Sequence, residues 1–332
     1  MKILILRLSS MGDILLATPV LDVLKNRFPD SEIDWAVYKK FEESIKLNPN
    51  ISTIISFDKN ECLKNIRDQI RSSGYDLVFD LHKNSKTYFL TRNLKNVFRY
   101  NKRVIERLLL VLFKRKYKRI IPATKMYFAA LNHAGIETPE KWQLSFYPDM
   151  KVESLTISNY ALKSEPYAVI VPGASYFTKI WPKECFKELS EKLLAEKRFR
   201  KIIVVGKGEI EEEAGNFICA ANKDKLINLT GRLNLSETAV IIKYADIVIT
   251  NDNGPMHLAE CFNRKIIAIF GCTTEEFGFF PYSTEYKVIE NKKLKCRPCT
   301  HFGRKKCPQG HFKCMKEITP ELVYNEIADF IK

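Results

Sequence analysis

No apolar run here approaches the roughly 20 residues that a membrane-spanning helix requires; beside the most basic stretch, the run Leu108–Phe113 has six residues. A spanning helix is therefore not expected. The opening MKILILRL pairs a charge with apolar residues but reaches Arg7 without a small-residue cleavage site, so it reads as a buried strand rather than a secretory leader. A cytoplasmic location is the resulting expectation. Neither half contains the G-x-G-x-x-G turn of an NAD-dependent oxidoreductase, and no G-x-x-x-x-G-K-[ST] phosphate loop occurs. There is no Asp-x-Asp pair, so a metal-bridged diphosphate has no evident holder. No helix-turn-helix, zinc-finger or RRM signature supports a nucleic acid partner.

What is present is a 332-residue chain with 45% hydrophobic and 28% charged residues, a globular composition long enough for two domains. The net charge of +15 suggests an acidic partner. Between Arg92 and Arg119 stand eleven Lys or Arg residues and one acid, Glu106, interleaved with Phe98, Tyr100, Leu108–Phe113 and Tyr117. Such a stretch fits an anionic membrane surface or a phosphorylated glycolipid; a solvated helix face is the plainer alternative. Of nine cysteines, Cys296, Cys299, Cys307 and Cys314 crowd together. Their count suits a four-thiolate zinc site, with His301 and His311 as substitutes, but reduced surface thiols and disulfides stay open.

Apolar runs alternate with helical spacing along the chain. Strands are expected at 2–8, 33–38, 52–57 and 76–82, with helices at 14–28 and 63–72. A polar stretch from Pro148 to Pro166 marks a domain boundary, and the pattern restarts at Tyr167. Strands follow at 167–173, 201–206, 246–252 and 265–271, with helices at 183–196, 210–221, 235–244 and 255–261. This alternation predicts two doubly wound parallel-sheet domains, 1–155 and 156–318, their strand ends opening on a common cleft. A capped helix, 319–332, is expected to close the chain and pack back toward the first domain.

Four loops carry chemistry. Ser9-Ser10-Met11-Gly12-Asp13 lies between the first strand and helix; Gly12 permits a sharp turn, and Asp13 reads either as a helix cap or as a general base. Gly173 to Ser175, followed by Lys179, offers free N–H groups and a cation to a diphosphate. Glu209 follows a G-K-G turn, where an acid can accept from ribose hydroxyls or serve only the helix dipole. The most specific segment is Thr250 to His257: a buried strand delivers Asp252, Asn253 and Gly254 turn the chain, and Pro255 starts a helix bearing His257.

In this order these residues resemble glycosyltransferase family 9, the ADP-heptose:lipopolysaccharide heptosyltransferases. The resemblance runs from Ser-Met-Gly-Asp-Ile through PGAS, KIWP, LTG, ADIVITNDNGPMHLA and IFGCTT to CRPC and Cys314-Met315. It implies a GT-B fold of two Rossmann-like domains facing a central cleft, transfer of heptose from ADP-heptose to the inner core of lipopolysaccharide, inversion at the anomeric carbon, and no metal or other cofactor. By the same resemblance Asp13 is the catalytic base, with Ser9, Ser10 and Gly12 in the acceptor-side loop. Ser175 and Lys179 are phosphate ligands, and Glu209 binds ribose, with Glu211 a competing alignment. Leu233 falls near the adenine, Asp252 meets the donor sugar, and Asn253, Gly254 and His257 form the diphosphate turn. The implied partners are the nucleotide sugar, an anionic glycolipid acceptor and the cytoplasmic face of the inner membrane. Another nucleotide sugar or glycan acceptor, or a non-catalytic nucleotide-sugar-binding protein, are the alternatives.

Overall fold

Parallel strands buried on both faces read as continuous apolar runs, and the expected runs become strands of two all-parallel sheets. The computed structural model describes residues 1–117, 119–220 and 222–331. The chain forms two units, one of Met1–Arg103 with Ile121–Tyr147, the other of Val104–Ile120 with the chain from Pro148 onward. The change of unit near 148 precedes the expected boundary at 155/156, and the basic segment 104–120 groups with the second unit, not the first.

In the first unit β1 (Lys2–Leu6), β2 (Glu32–Tyr38), β3 (Thr53–Phe57), β4 (Leu77–Asp80) and β5 (Val97–Arg99) pair in the order β3-β2-β1-β4-β5. Period-two alternation sends Leu4, Leu6, Ala36, Ile55 and Val78 to one face, where Ile66 and Ile70 of the helix Leu63–Ser72 cover them. The helix expected over 14–28 is instead two helices, Met11–Ala17 and Pro19–Arg27. Pro19 has no N–H to continue the first helix, and the Thr18 hydroxyl turns back to the Leu15 carbonyl at 2.8 Å.

In the second unit β6 (Tyr167–Val171), β7 (Lys201–Val204), β8 (Leu226–Asn228), β9 (Ile247–Asn251), β10 (Lys265–Phe270) and β11 (Tyr286–Glu290) pair in the order β11-β10-β9-β6-β7-β8. Ala168, Ile170, Ile202, Val204, Ile247, Ile249, Ile267 and Ile269 face one core with the helices Lys183–Ala195, Glu209–Cys219 and Pro320–Phe330. On the other face the Tyr167 hydroxyl donates to the Ile241 carbonyl of the helix Leu235–Lys243 at 2.6 Å. The polar stretch read as a linker contains a helix, Met150–Tyr160, capped by Asp149, whose Oδ1 accepts from Lys151 and Val152 N–H. The closing helix, expected to pack toward the first domain, lies on the helix Lys183–Ala195 and beside β11. The expected helix ends at Ala221 and Lys332 fall outside the described residues.

In open parallel sheets a ligand crevice forms where strand order reverses, at the carboxyl ends of the two strands flanking the reversal. That point lies between β1 and β4 in the first sheet and between β6 and β9 in the second.

Candidate active site

In the first unit the loop after β1 carries Ser9, Ser10, Gly12 and Asp13, and the loop after β4 carries His82. Gly12 is buried, Ser9 is half-buried and Ser10 is exposed. Asp13 lies in the first turn of the helix Met11–Ala17 with its side chain 24% exposed. Its Oδ2 accepts from the Ser10 hydroxyl at 2.9 Å and the Ser10 backbone N–H at 3.3 Å. Its Oδ1 sits 2.6 Å from Arg7 Nη2 and accepts from the Tyr127 hydroxyl at 3.3 Å. Burial alone would raise the carboxyl pKa, but the Arg7 charge and the Ser10 hydrogen bonds outweigh it and hold Asp13 below the ordinary carboxylate range. Asp13 thus closes the capping box of its helix, as the capping reading expects, and remains an ionised group partly open to solvent.

Arg7 looked from the sequence like one charge ending an apolar strand. It is 6% exposed, donates from Nη1 to the Leu81 carbonyl at 2.6 Å and lies over the Tyr127 ring at 5.3 Å. His82 was also missed. Burial and the charges of Arg7 and Lys102 push its pKa down to about 3, so the imidazole is neutral at physiological pH, and its Nδ1 is buried without a hydrogen-bond partner. Asp80 fixes the turn that presents it, with Oδ1 accepting from His82 N at 3.1 Å and Lys83 N at 2.7 Å, and Oδ2 held by Arg99 and Thr87. The only sequence signal for His82 was its place at the end of a buried strand.

In the second unit the structure brings Lys179 and Asp252 together. Lys179 Nζ lies 2.7 Å from Asp252 Oδ2, which also accepts from the Thr273 hydroxyl at 2.6 Å. The pair is largely buried, with side chains 15% and 9% exposed. Two asparagines join the flanking loops. Asn251 donates to the Pro172 carbonyl at 2.7 Å and accepts from Trp181 N–H at 3.1 Å. Asn253 donates to the Gly173 carbonyl at 2.8 Å, while its Oδ1 accepts from Thr250 Oγ1 at 3.0 Å and caps the helix Gly254–Cys261 through Met256 N–H at 3.1 Å. Its amide is therefore already committed to holding the loops, and Gly254 begins the helix. His257 is 4% exposed, and its Nδ1 lies 2.5 Å from Glu260 Oε2. Glu260 also accepts from Ser283, so the imidazole is oriented from behind through Nδ1.

The other expected donor ligands lie on the segments that follow β6, β7 and β8. Ser175 is exposed, Leu233 is buried before the helix Leu235–Lys243, and Glu209 is exposed at the start of its own helix. Glu211 is instead the acid lying in the glycine turns: a Cβ added at Gly173, Gly206 or Gly208 would come within 2.1, 2.7 or 2.9 Å of its side chain. Burial raises the Glu211 pKa. Of the four clustered cysteines, Cys296 has His311 Nε2 at 3.9 Å. Among the described residues no group of three or more His, Cys, Asp or Glu is arranged to hold a metal, which leaves the zinc reading without a site.

The helix Val104–Phe113 exposes Val104, Ile105, Leu108, Leu112 and Phe113 by 55–73%, ahead of exposed Lys114, Arg115 and Lys116. No helix among the described residues is long and apolar enough to cross a membrane.

A family model described as glycosyltransferase family 9 (heptosyltransferase) matches residues 63–310. Lipooligosaccharide heptosyltransferase 2 of Campylobacter jejuni is 26% identical over 100% of this chain and 99% of its own length. Lipopolysaccharide heptosyltransferase 1 of Campylobacter coli is 28% identical over 89% of this chain and 91% of its own. Among solved structures, glycosyl transferase family 9 from Veillonella parvula superposes with a TM-score of 0.79 at 22% identity, covering 99% of this chain and 97% of that one. Escherichia coli ADP-heptose lipopolysaccharide heptosyltransferase II gives 0.75 at 22% identity, covering 100% and 98%. The shared fold is GT-B, each unit being one Rossmann-like half.

Proposed function

The chain belongs to glycosyltransferase family 9, and from that premise we propose that it transfers a heptose from ADP-heptose to the inner core of lipopolysaccharide, with inversion and without a metal. The observation that carries this reading is the Lys179–Asp252 pair at the reversal point of the second sheet, 2.7 Å apart and framed by two loop-bridging asparagines. In the proposed complex the donor diphosphate takes over Lys179, and Asp252, freed from it, turns its oxygens to the sugar hydroxyls. Negative charge building on departing ADP is met by Lys179 and by the N-terminus of the helix Gly254–Cys261. Glu211, in the glycine turns, is better placed than Glu209 to meet the ribose, with Ser175 a phosphate contact and Leu233 an adenine contact.

Asp13 is the proposed base. Pairing with Arg7 keeps it ionised at the cost of basicity, which suits a displacement in which the sugar–diphosphate bond is largely broken before the acceptor proton moves. Ser9, Ser10 and Gly12 shape the acceptor loop, and the neutral His82 stands in the loop after β4 at the same reversal point. The exposed apolar stripe of the helix Val104–Phe113, with the basic residues after it, supports a peripheral seat on the anionic cytoplasmic face of the inner membrane, where a glycolipid acceptor would be met.

The test is turnover. Purified protein incubated with ADP-heptose and a heptose-free lipid A-core acceptor is expected to add one heptose by mass and release one ADP, at a rate unchanged by chelator. Turnover with a different nucleotide sugar but none with ADP-heptose overturns the donor assignment. ADP-heptose binding without transfer to any acceptor overturns catalysis.

A further inference from the structure

Cys272, two residues past β10, and the cysteine-rich segment play no part in the proposed transfer. Cys272 is buried, whereas Cys299 is partly exposed, and both are free thiols. The Cys299 N–H donates to the Cys272 carbonyl at 3.3 Å, and each thiol is among the groups that shift the other's pKa. A backbone hydrogen bond makes the two residues close neighbours, as a disulfide between them requires. Arg297, itself 9% exposed, ties the two segments together. Its guanidinium donates to the carbonyls of Phe270, Gly271 and Thr273 around Cys272, and to Asn291 and Glu290 on its own side.

The two thiols are also unlike. The neighbouring Cys272 thiol, aided against burial by the charges of Arg304 and Lys114, brings the Cys299 pKa down to about 7. Both cations are anchored alongside: Lys114 Nζ donates to the Pro298 carbonyl at 2.6 Å, and Arg304 Nε to the Cys299 carbonyl at 3.4 Å. The neighbouring Cys299 thiol and burial hold Cys272 well above the ordinary thiol range. An accessible thiolate beside a protonated, sheltered thiol is the arrangement of an attacking and a resolving cysteine.

We propose that Cys299 and Cys272 form a redox site in which a hydroperoxide oxidises Cys299 and Cys272 closes an intramolecular disulfide with it. The Cys299 sulfur attacks the terminal peroxide oxygen; the O–O bond breaks, water or an alcohol leaves, and Cys299 becomes a sulfenic acid. The Cys272 sulfur then attacks that sulfur; the S–O bond breaks and water leaves with the thiol proton. In sum two thiols lose two electrons and two protons, and one peroxide is reduced.

The experiment uses the full chain and hydrogen peroxide, without donor or acceptor. After brief exposure and alkylation, a non-reducing peptide map is expected to show the Cys272 and Cys299 peptides joined, two hydrogens lighter than the free pair and separable by a thiol reductant. In Cys272→Ser the joined peptide is replaced by a Cys299 sulfenic acid that dimedone traps. In untreated protein, Cys299 alkylates at least about tenfold faster than Cys272 at pH 7, with a midpoint near 7. Linkage of Cys299 to Cys296, Cys307 or Cys314, a Cys299 that does not react with peroxide, or an alkylation midpoint near the ordinary thiol value of about 8.5 each overturns the proposal. The wild-type map decides the pairing even if the variant does not fold.

Discussion

The two reversal points hold their charges by different means. In the first unit a single buried guanidinium, threaded along β1 and tied to the Leu81 carbonyl, sets the state of Asp13. In the second, Lys179 and Asp252 neutralise each other inside a frame of side-chain amides, with Asn251 and Asn253 holding the loop after β6 against the end of β9. The first site is tuned by charge and the second by position. Substitutions in the first should act on the pH dependence of turnover, and in the second on donor affinity and fold stability.

The largest effect is expected from Asp13→Asn. Losing a positioned base costs about 10²–10⁴ in rate, so kcat should fall by about a thousandfold while calorimetric ADP binding is unchanged; a wild-type kcat would remove Asp13 from the chemistry. Next is Lys179→Met, which strands Asp252 in a buried site. Breaking a buried pair from one side costs about 3–5 kcal/mol, so a lower denaturation midpoint and about a hundredfold weaker ADP binding are expected, and adding Asp252→Asn should restore part of the stability but not the affinity.

Arg7→Met should cost about tenfold in rate and, more tellingly, move the acid limb of the pH–rate profile. In the wild type the Asp13 pKa is depressed, so the ionised form and the stability it contributes persist above the ordinary carboxylate value of about 3.9 and fade only as pH falls through the lower folded value. Without Arg7, burial is opposed only by the Ser10 hydrogen bonds and the limb shifts upward; an unmoved limb would show that Asp13 does not govern it. Asn253→Ala loses a helix cap and the tie to Gly173, about 1–2 kcal/mol of stability by thermal denaturation, with a few-fold rise in donor KM. The smallest change is expected from Ile105→Asp with Phe113→Asp, which should weaken sedimentation with anionic vesicles several-fold yet leave turnover of a detergent-dispersed acceptor intact.

Much of this was legible in the sequence, and the exceptions have physical causes. Central strands such as Tyr167–Val171 and Ile247–Asn251 are covered on both faces and so announce themselves as apolar runs. Val97–Arg99, Leu226–Asn228 and Tyr286–Glu290 lie at sheet edges, where partial exposure permits polar residues and blurs the pattern. The helix Met150–Tyr160 was masked because it is mostly polar and held by ion pairing, with Glu153 bonded to Lys243 and Tyr244. Asp13, Lys179 and Asp252 were visible because loops after strands collect chemistry. That Lys179 and Asp252 would pair depends on β6 lying beside β9, a neighbour relation that local spacing does not encode. Arg7 and His82 were hidden for the same reason, since both gain their meaning from β1 lying beside β4.

Arg297 ties the end of β10 to a position 27 residues further along the chain. A chain emerging from the ribosome therefore reaches Phe270 to Thr273 well before the guanidinium that saturates those carbonyls exists. The turn carrying Thr273, whose hydroxyl donates to Asp252, therefore gains this anchor only once synthesis has passed Arg297.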